Sequence, residues 1–249
     1  MKFLKVVLIT IILLSLMGGA AHAQTSLPKI SVQVDESEDA KDLSVTLQIL
    51  LMLTILTLAP SIVIMVTSFI RIVVVFSFLR HAIGTNQMPP NQLLVGLALI
   101  LTAFIMAPTI TQINDNALQP YLNDEINQKE AYDIGIQPIR DFMLKQVREK
   151  DLALFVSLSG LDKPNSPADL PTYLIIPGYV ISELRIAFQI SFILFIPFLI
   201  IDMVVASVLM SMGMLMLPPI MVSLPFKILL FVLVDGWFLI VKSVVTSFH

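Results

Sequence analysis

Uncharged apolar runs set the elements of this chain. From Leu43 to Ile70 no charged residue occurs across 28 positions. A helix that crosses a bilayer needs roughly 20 apolar residues, so this run predicts one span, kinked at Pro60 where a backbone donor is missing. Arg71 and Arg80 then bracket the apolar Ile72 to Leu79. A second charge-free run extends from His81 to Asn114, with its helix predicted between Asn91 and Ile113. Met88-Pro89-Pro90-Asn91 reads as a turn into that helix, with Asn91 placed to cap it.

Residues 115 to 169 break the pattern. They hold ten acidic and six basic residues, 16 of the 33 charges in the chain. Asp124 to Lys150 is compatible with helix, and Lys163-Pro164-Asn165-Ser166-Pro167 reads as a loop. The stretch predicts a water-facing helical insertion, too small for an independent enzyme domain. Apolar sequence resumes at Tyr173, punctuated by Glu183, Arg185, Asp202, Lys227, Asp235 and Lys242. The expected fold is an all-α membrane protein of two long helical hairpins with a small helical insertion, assembling into a helical ring. Its segments are 1–23, 24–42, 43–114, 115–172 and 173–249.

The second hairpin turns through the most informative stretch, residues 203–226. It carries no charge, yet Gly213, Pro218, Pro219 and Pro225 interrupt any simple helix. Met210, Met212, Met214 and Met216 fall at every second position around the break. Irregular backbone at membrane depth is tolerated where protein buries it or where it lines a cavity. Methionine is flexible enough to seal a gap of changing shape. The segment therefore reads either as a gate or gasket, or as an ordinary hairpin with a Met-rich turn.

Composition supports the membrane class: 57% hydrophobic, 13% charged and a mean hydropathy of +0.90. Soluble domains carry about twice that charged fraction. With no cysteine, disulfides and thiolate metal sites are excluded. The three histidines, His22, His81 and His249, are far apart, and no nucleotide-binding or zinc-protease motif occurs. No catalytic residue, cofactor, metal or nucleic-acid partner is expected. An aspartyl protease built on Asp202 and Asp235 lacks its Gly-x-Gly-Asp context. A secondary transporter would be short of spans.

Lys2, Lys5 and the apolar Val6 to Met17 predict a signal peptide, cleaved after Ala21-His22-Ala23, with an uncleaved anchor as the alternative. Cleavage would leave the N-terminus outside the cytoplasm, where Asp35-Glu36-Ser37-Glu38-Asp39 fits. The first span then delivers Arg71, Arg80 and His81 to the cytoplasmic side, as the positive-inside rule prefers. The insertion becomes periplasmic, and four helices leave both ends external.

The charges strain this scheme, because each costs roughly 2.5 kcal/mol or more if it faces lipid. They should face protein or water, as in one subunit of a larger assembly. Arg71 and Arg80 read as basal anchors or as snorkelling topology residues. Glu183 and Lys227 each need a partner. Their offset from the turn is near 30 Å at about 1.5 Å per residue. That predicts a contact between neighbouring subunits, with pairing of Glu183 to Arg185 or a partner protein, and a role for Asp202, as the local alternative.

Several long motifs complete the reading. Thr67-Ser68-Phe69-Ile70-Arg71-Ile72-Val73-Val74-Val75-Phe76-Ser77-Phe78-Leu79-Arg80 is followed by Asn86-Gln87-Met88-Pro89-Pro90-Asn91-Gln92. Ile176-Pro177-Gly178-Tyr179-Val180-Ile181-Ser182-Glu183-Leu184-Arg185, Pro225-Phe226-Lys227 and Val234-Asp235-Gly236-Trp237 come later. In this order they resemble the FliP family of type III secretion export-gate subunits, over roughly residues 45 to 249. The resemblance implies a ring of five copies with FliQ and FliR, then FlhB and FlhA, in the bacterial inner membrane at the flagellar basal body. It implies passage of unfolded flagellar proteins through a gate largely lifted out of the lipid. A Met-rich loop closes the family's pore, and Gly213-Met214-Leu215-Met216 stands at its place, with Leu215 interrupting the methionines. Injectisome counterparts share these motifs, but the signal and the insertion favour the flagellar branch. A non-gating scaffold of the same complex is the other alternative.

Overall fold

The computed structural model describes residues 40–85, 88–160, 166–214 and 216–248. The signal-cleavage residues Ala21 and Ala23 and the acidic segment lie outside them. The chain divides into two units, 1–52 and 53–249. Helix α1, Ala40–Met65, begins in the first unit and ends in the second, which holds every later element. From Leu53 onward α1 exposes apolar side chains all round, with Ile55, Leu56 and Val63 each more than half exposed. A helix apolar on every side is built for lipid or protein rather than for water.

The first apolar run is not one helix. It stops at Met65, and α2 restarts at Phe69–Ile83 after a three-residue turn. Thr67 turns its hydroxyl back on the Ile64 carbonyl at 3.4 Å, and Tyr179 donates to the Thr67 carbonyl at 2.8 Å. Side-chain bonds of this kind compete with the helical ladder. The turn swings α2 into the interior. Ile72, Val75, Phe76, Leu79 and Ala82 form its buried face, at the helical i, i+3, i+4 spacing. Gly84, at φ +86°, closes α2 in the left-handed conformation that a side chain would resist.

Helix α3, Asn91–Ile113, has the predicted bounds, but Asn91 is its first residue and makes no side-chain cap; Pro90 occupies the cap position. A π-turn, Asn114–Leu118, carries it into α4, Gln119–Leu122. Helix α5, Gln128–Gln146, starts on a capping box in which the Asn127 side chain accepts from the Glu130 amide and Glu130 accepts from the Asn127 amide. With α6, Glu149–Ser159, it forms the insertion. These helices are not purely water-facing: Met143 and Leu152 are buried with Leu174, Ile175 and Tyr179 of the next helix.

Helix α7, Thr172–Ser211, is 40 residues long, about 60 Å at the α-helical rise. After the methionine turn come α8, Pro219–Leu233, and α9, Gly236–Thr246, bent by 65° at Val234–Asp235. Among the described residues three helices are long and apolar enough to cross a membrane, and α8–α9 is a fourth if the bent pair counts as one.

Candidate functional site

Among the described residues, buried polar clusters hold these apolar helices together. The first centres on Arg71, on the first turn of α2 and wholly buried. Its Nε donates to Glu183 Oε2 at 2.8 Å, and its Nη2 donates to Glu183 Oε1 and, at 3.0 Å, to Gln146 Oε1. Its Nη1 donates to the Ser247 carbonyl at 2.8 Å and to Ser247 Oγ at 2.9 Å. All five guanidinium N–H groups are thus used. The Phe248 ring lies 3.7 Å from the guanidinium carbon, a cation–π contact. Gln146 Nε2 donates to the Phe248 carbonyl at 3.1 Å. One side chain therefore ties α2 to α7, to the end of α5 and to the segment after α9.

The second cluster centres on Lys227 of α8, only 2% exposed. Its Nζ donates to Asp202 Oδ2 at 2.6 Å and to the Ala82 carbonyl at 3.2 Å. Ser223 Oγ donates to Asp202 Oδ1 at 2.6 Å. This locks α8 to α7 and to the C-terminal end of α2.

These clusters correct the pairing of Glu183 with Lys227 across subunits. The offset that argued against a pair within one hairpin is real, and each charge meets it with a different partner in its own chain. Arg71 supplies Glu183 from α2, and Asp202 supplies Lys227 from one helix away. Arg71 does not snorkel outward. Arg185 is exposed on α7 and Arg80 is half-buried on α2, and among the described residues neither joins an ion pair. Asp202, a candidate protease carboxylate, is engaged by Lys227 and Ser223. Asp235 stands at the α8–α9 bend with φ +50°.

Sequence reasoning missed the third cluster. Asp151 of α6 accepts from Arg148 Nε at 2.8 Å and from Ser182 Oγ at 2.7 Å, while the Arg148 amide donates to Ser182 Oγ at 3.1 Å. Burial pushes the Asp151 carboxyl up, but the hydrogen bonds from Arg148 and Ser182 and the charges of Arg148 and Arg185 together hold it below the ordinary aspartate value. The Arg148-Glu149-Lys150-Asp151 run reads as a solvated face in sequence, and only the fold brings Ser182 to it.

The methionine turn is fixed by its backbone. The Gly213 amide donates to the Met210 carbonyl and the Met214 amide to the Leu209 carbonyl, each at 3.0 Å. This is the Schellman pattern with glycine at its left-handed position, φ +75°. Met210, Met212, Met214 and Met216 are 61%, 67%, 40% and 99% exposed, and Leu215 lies outside the described residues. An apolar groove of about 470 Å3 between α7 and α8, lined by Val204, Val208, Val222 and Phe226 among others, leads up to the turn. The turn thus presents four flexible, exposed side chains, Met216 almost bare and Met214 more than half covered.

The FliP family profile matches residues 52–244, which take in Arg71, Glu183, Asp202, Lys227 and the whole methionine turn. The chain belongs to the FliP family. Flagellar biosynthetic protein FliP of Bacillus subtilis (strain 168) is 57% identical over 217 residues, covering 87% of this chain and 98% of its own. FliP of Caulobacter vibrioides is 50% identical over 235 residues, 94% of this chain and 86% of its own. FliP of Aquifex aeolicus (strain VF5) is 48% identical over 243 residues, 97% of this chain and 98% of its own. The residues at the centre of all three clusters lie within the matched span, and Ser247 and Phe248, which complete the Arg71 cluster, lie just beyond it.

Proposed function

We propose that this chain is a core pore-forming subunit of the flagellar protein export gate, passing unfolded flagellar proteins across the bacterial inner membrane at the basal body. The observation that carries the reading is the methionine turn: four exposed, deformable side chains on a turn closed by Gly213. A polypeptide in transit has no fixed side-chain shape, and thioethers conform to whatever passes. FliP relatives are named flagellar biosynthetic proteins, which supports the flagellar over the injectisome branch. The subunit catalyses nothing, and energy for export comes from other components. Five copies assemble with FliQ and FliR, then with FlhB and FlhA, and the insertion faces the periplasm. Exposed apolar surface along α1, α7 and α8 suits contact with lipid or with neighbouring subunits.

Replacing both Met214 and Met216 by Ala should raise leakage of small solutes through assembled gates while export continues. A double variant that assembles and leaks no more than the parent would leave the non-gating scaffold as the better reading.

A further inference from the structure

Two exposed charges on the span-forming helices have no ion-pair partner among the described residues. Asp235 stands at the α8–α9 bend, exposed, and its side chain makes no cap on α9. Val232, Leu233 and Phe238 around it are each more than half exposed. Arg185 is exposed on α7, on a shallow groove shared with Ile181, Leu184, Phe188 and Phe192. Nearby groups do not answer these charges. Asp151 feels the charge of Arg185 but is already bonded to Arg148 and Ser182. Lys242, two turns along α9, holds its ammonium 5.8 Å from the Phe238 ring.

No single solvent suits either patch. Hydrocarbon accepts the apolar side chains and penalises the charge; water does the reverse. An apolar protein surface carrying one opposite charge satisfies both requirements. Each patch is such a surface for the other.

Their placement also fits. Phe76 of α2 meets Trp237 at 6.2 Å between ring centroids, and Phe78 meets Phe188 at 5.3 Å. Residues two apart on a helix point about 200° away from each other and are separated by about 3 Å along its axis. Trp237 and Phe188 therefore flank α2 on opposite sides at nearly one height. Asp235 is a short step from Trp237, and Arg185 is one from Phe188. The acid and the base thus lie on opposite sides of α2, within roughly one helical turn in height. A patch that complements the other side of its own molecule makes head-to-tail contacts, the kind that close into rings.

We propose that the α8–α9 bend of one copy packs on α7 of the next, with Asp235 paired to Arg185. The inference rests on the homo-oligomer of the proposed function and names one of its contacts.

The absence of native cysteine makes the test direct. Val234→Cys beside Asp235 and Gln189→Cys one turn from Arg185 leave both charges in place. Two differently tagged full-length copies, each with one of these thiols, are expressed together with the other gate components and treated in membranes with a short bifunctional maleimide. A mixed cross-link is expected, without the products joining two Val234→Cys or two Gln189→Cys copies. Asp235→Asn and Arg185→Gln should each weaken association about tenfold, read as loss of the cross-link on dilution in detergent. The two together should do no more than either alone, since they break one pair. Asn tolerates the left-handed backbone at position 235, φ +50°, so the unfolding midpoint should stay unchanged. A cross-link undiminished by either substitution would overturn the ion pair. Capture of the Val234→Cys thiol by another gate component would give Asp235 to that protein and overturn it likewise. Normal oligomers by native mass without the mixed cross-link would overturn the contact and leave the export reading standing. A chain that stays monomeric in the presence of its partners would remove the contact and the homo-oligomer together.

Discussion

Arg71 donates every N–H it has, and no other side chain reproduces that pattern. Lysine keeps the charge but concentrates its donors on one nitrogen, so it cannot hold both Glu183 oxygens and also reach Gln146 and Ser247. Arg71→Lys should destabilise the fold by about 1–3 kcal/mol, the cost of buried acceptors left without a donor, read as a lower unfolding midpoint in detergent. A wild-type midpoint would mean that charge alone suffices. Asp151 gives a different readout, because its carboxyl titrates below the ordinary aspartate value. Between the two values the folded chain holds fewer protons than the unfolded one. The stability it contributes is therefore complete above the ordinary value and is lost as pH falls through the lowered one. Asp151→Asn should lower the midpoint at neutral pH, with the gap to the parent closing in acid. A gap that stays constant with pH would assign the effect to packing. That Glu183 and Lys227 need partners was legible in the sequence, since each interrupts apolar surroundings, whereas Arg71 read as an anchor or a snorkelling residue. The partners themselves were not legible, because Arg71 and Glu183 are 112 positions apart and only the fold chooses among the available opposite charges.

At the scale of elements, hydropathy predicted long helices wherever charge was absent, and α3 has the bounds so expected, whereas α7 runs unbroken through Glu183, Arg185 and Asp202. Hydropathy ran through the α1–α2 turn, because Val66, Thr67 and Ser68 carry no charge or proline to mark a stop. That break comes from tertiary bonds, Tyr179 holding the Thr67 carbonyl and Arg71 reaching Glu183. The α8–α9 bend is the opposite case: Asp235-Gly236 is visible in sequence as a helix-end signal, and the structure gives its reason. A Cβ on Gly236 would come within 2.3 Å of the Phe231 ring, which stands edge-on to Trp237 at 5.6 Å between centroids. Gly236→Ala should cost about 1–3 kcal/mol through overpacking, measured as a fall in the unfolding midpoint. Adding Phe231→Leu should recover part of the loss. If Gly236→Ala alone is neutral, the ring is not confined as described.

For the whole molecule, orientation is the first thing to test. The proposed topology puts the insertion in the periplasm and the α2–α3 connection on the other side. In cells with a permeabilised outer membrane, Glu130→Cys at the start of α5 should react with an impermeant maleimide, and Met88→Cys only after lysis. The reverse pattern would invert the topology. The length of α7 has a further consequence. Its roughly 60 Å is about twice the hydrocarbon thickness of a bilayer, so a single crossing along the membrane normal would leave about half of it beyond the lipid. An exported chain running beside it, extended at about 3.4 Å per residue, would have roughly 18 residues abreast of the helix at once. From Ile186 to Ile201 α7 carries no charge, so a polypeptide passing along that stretch would meet no ion to pair with and would be held, if at all, by apolar and aromatic contacts.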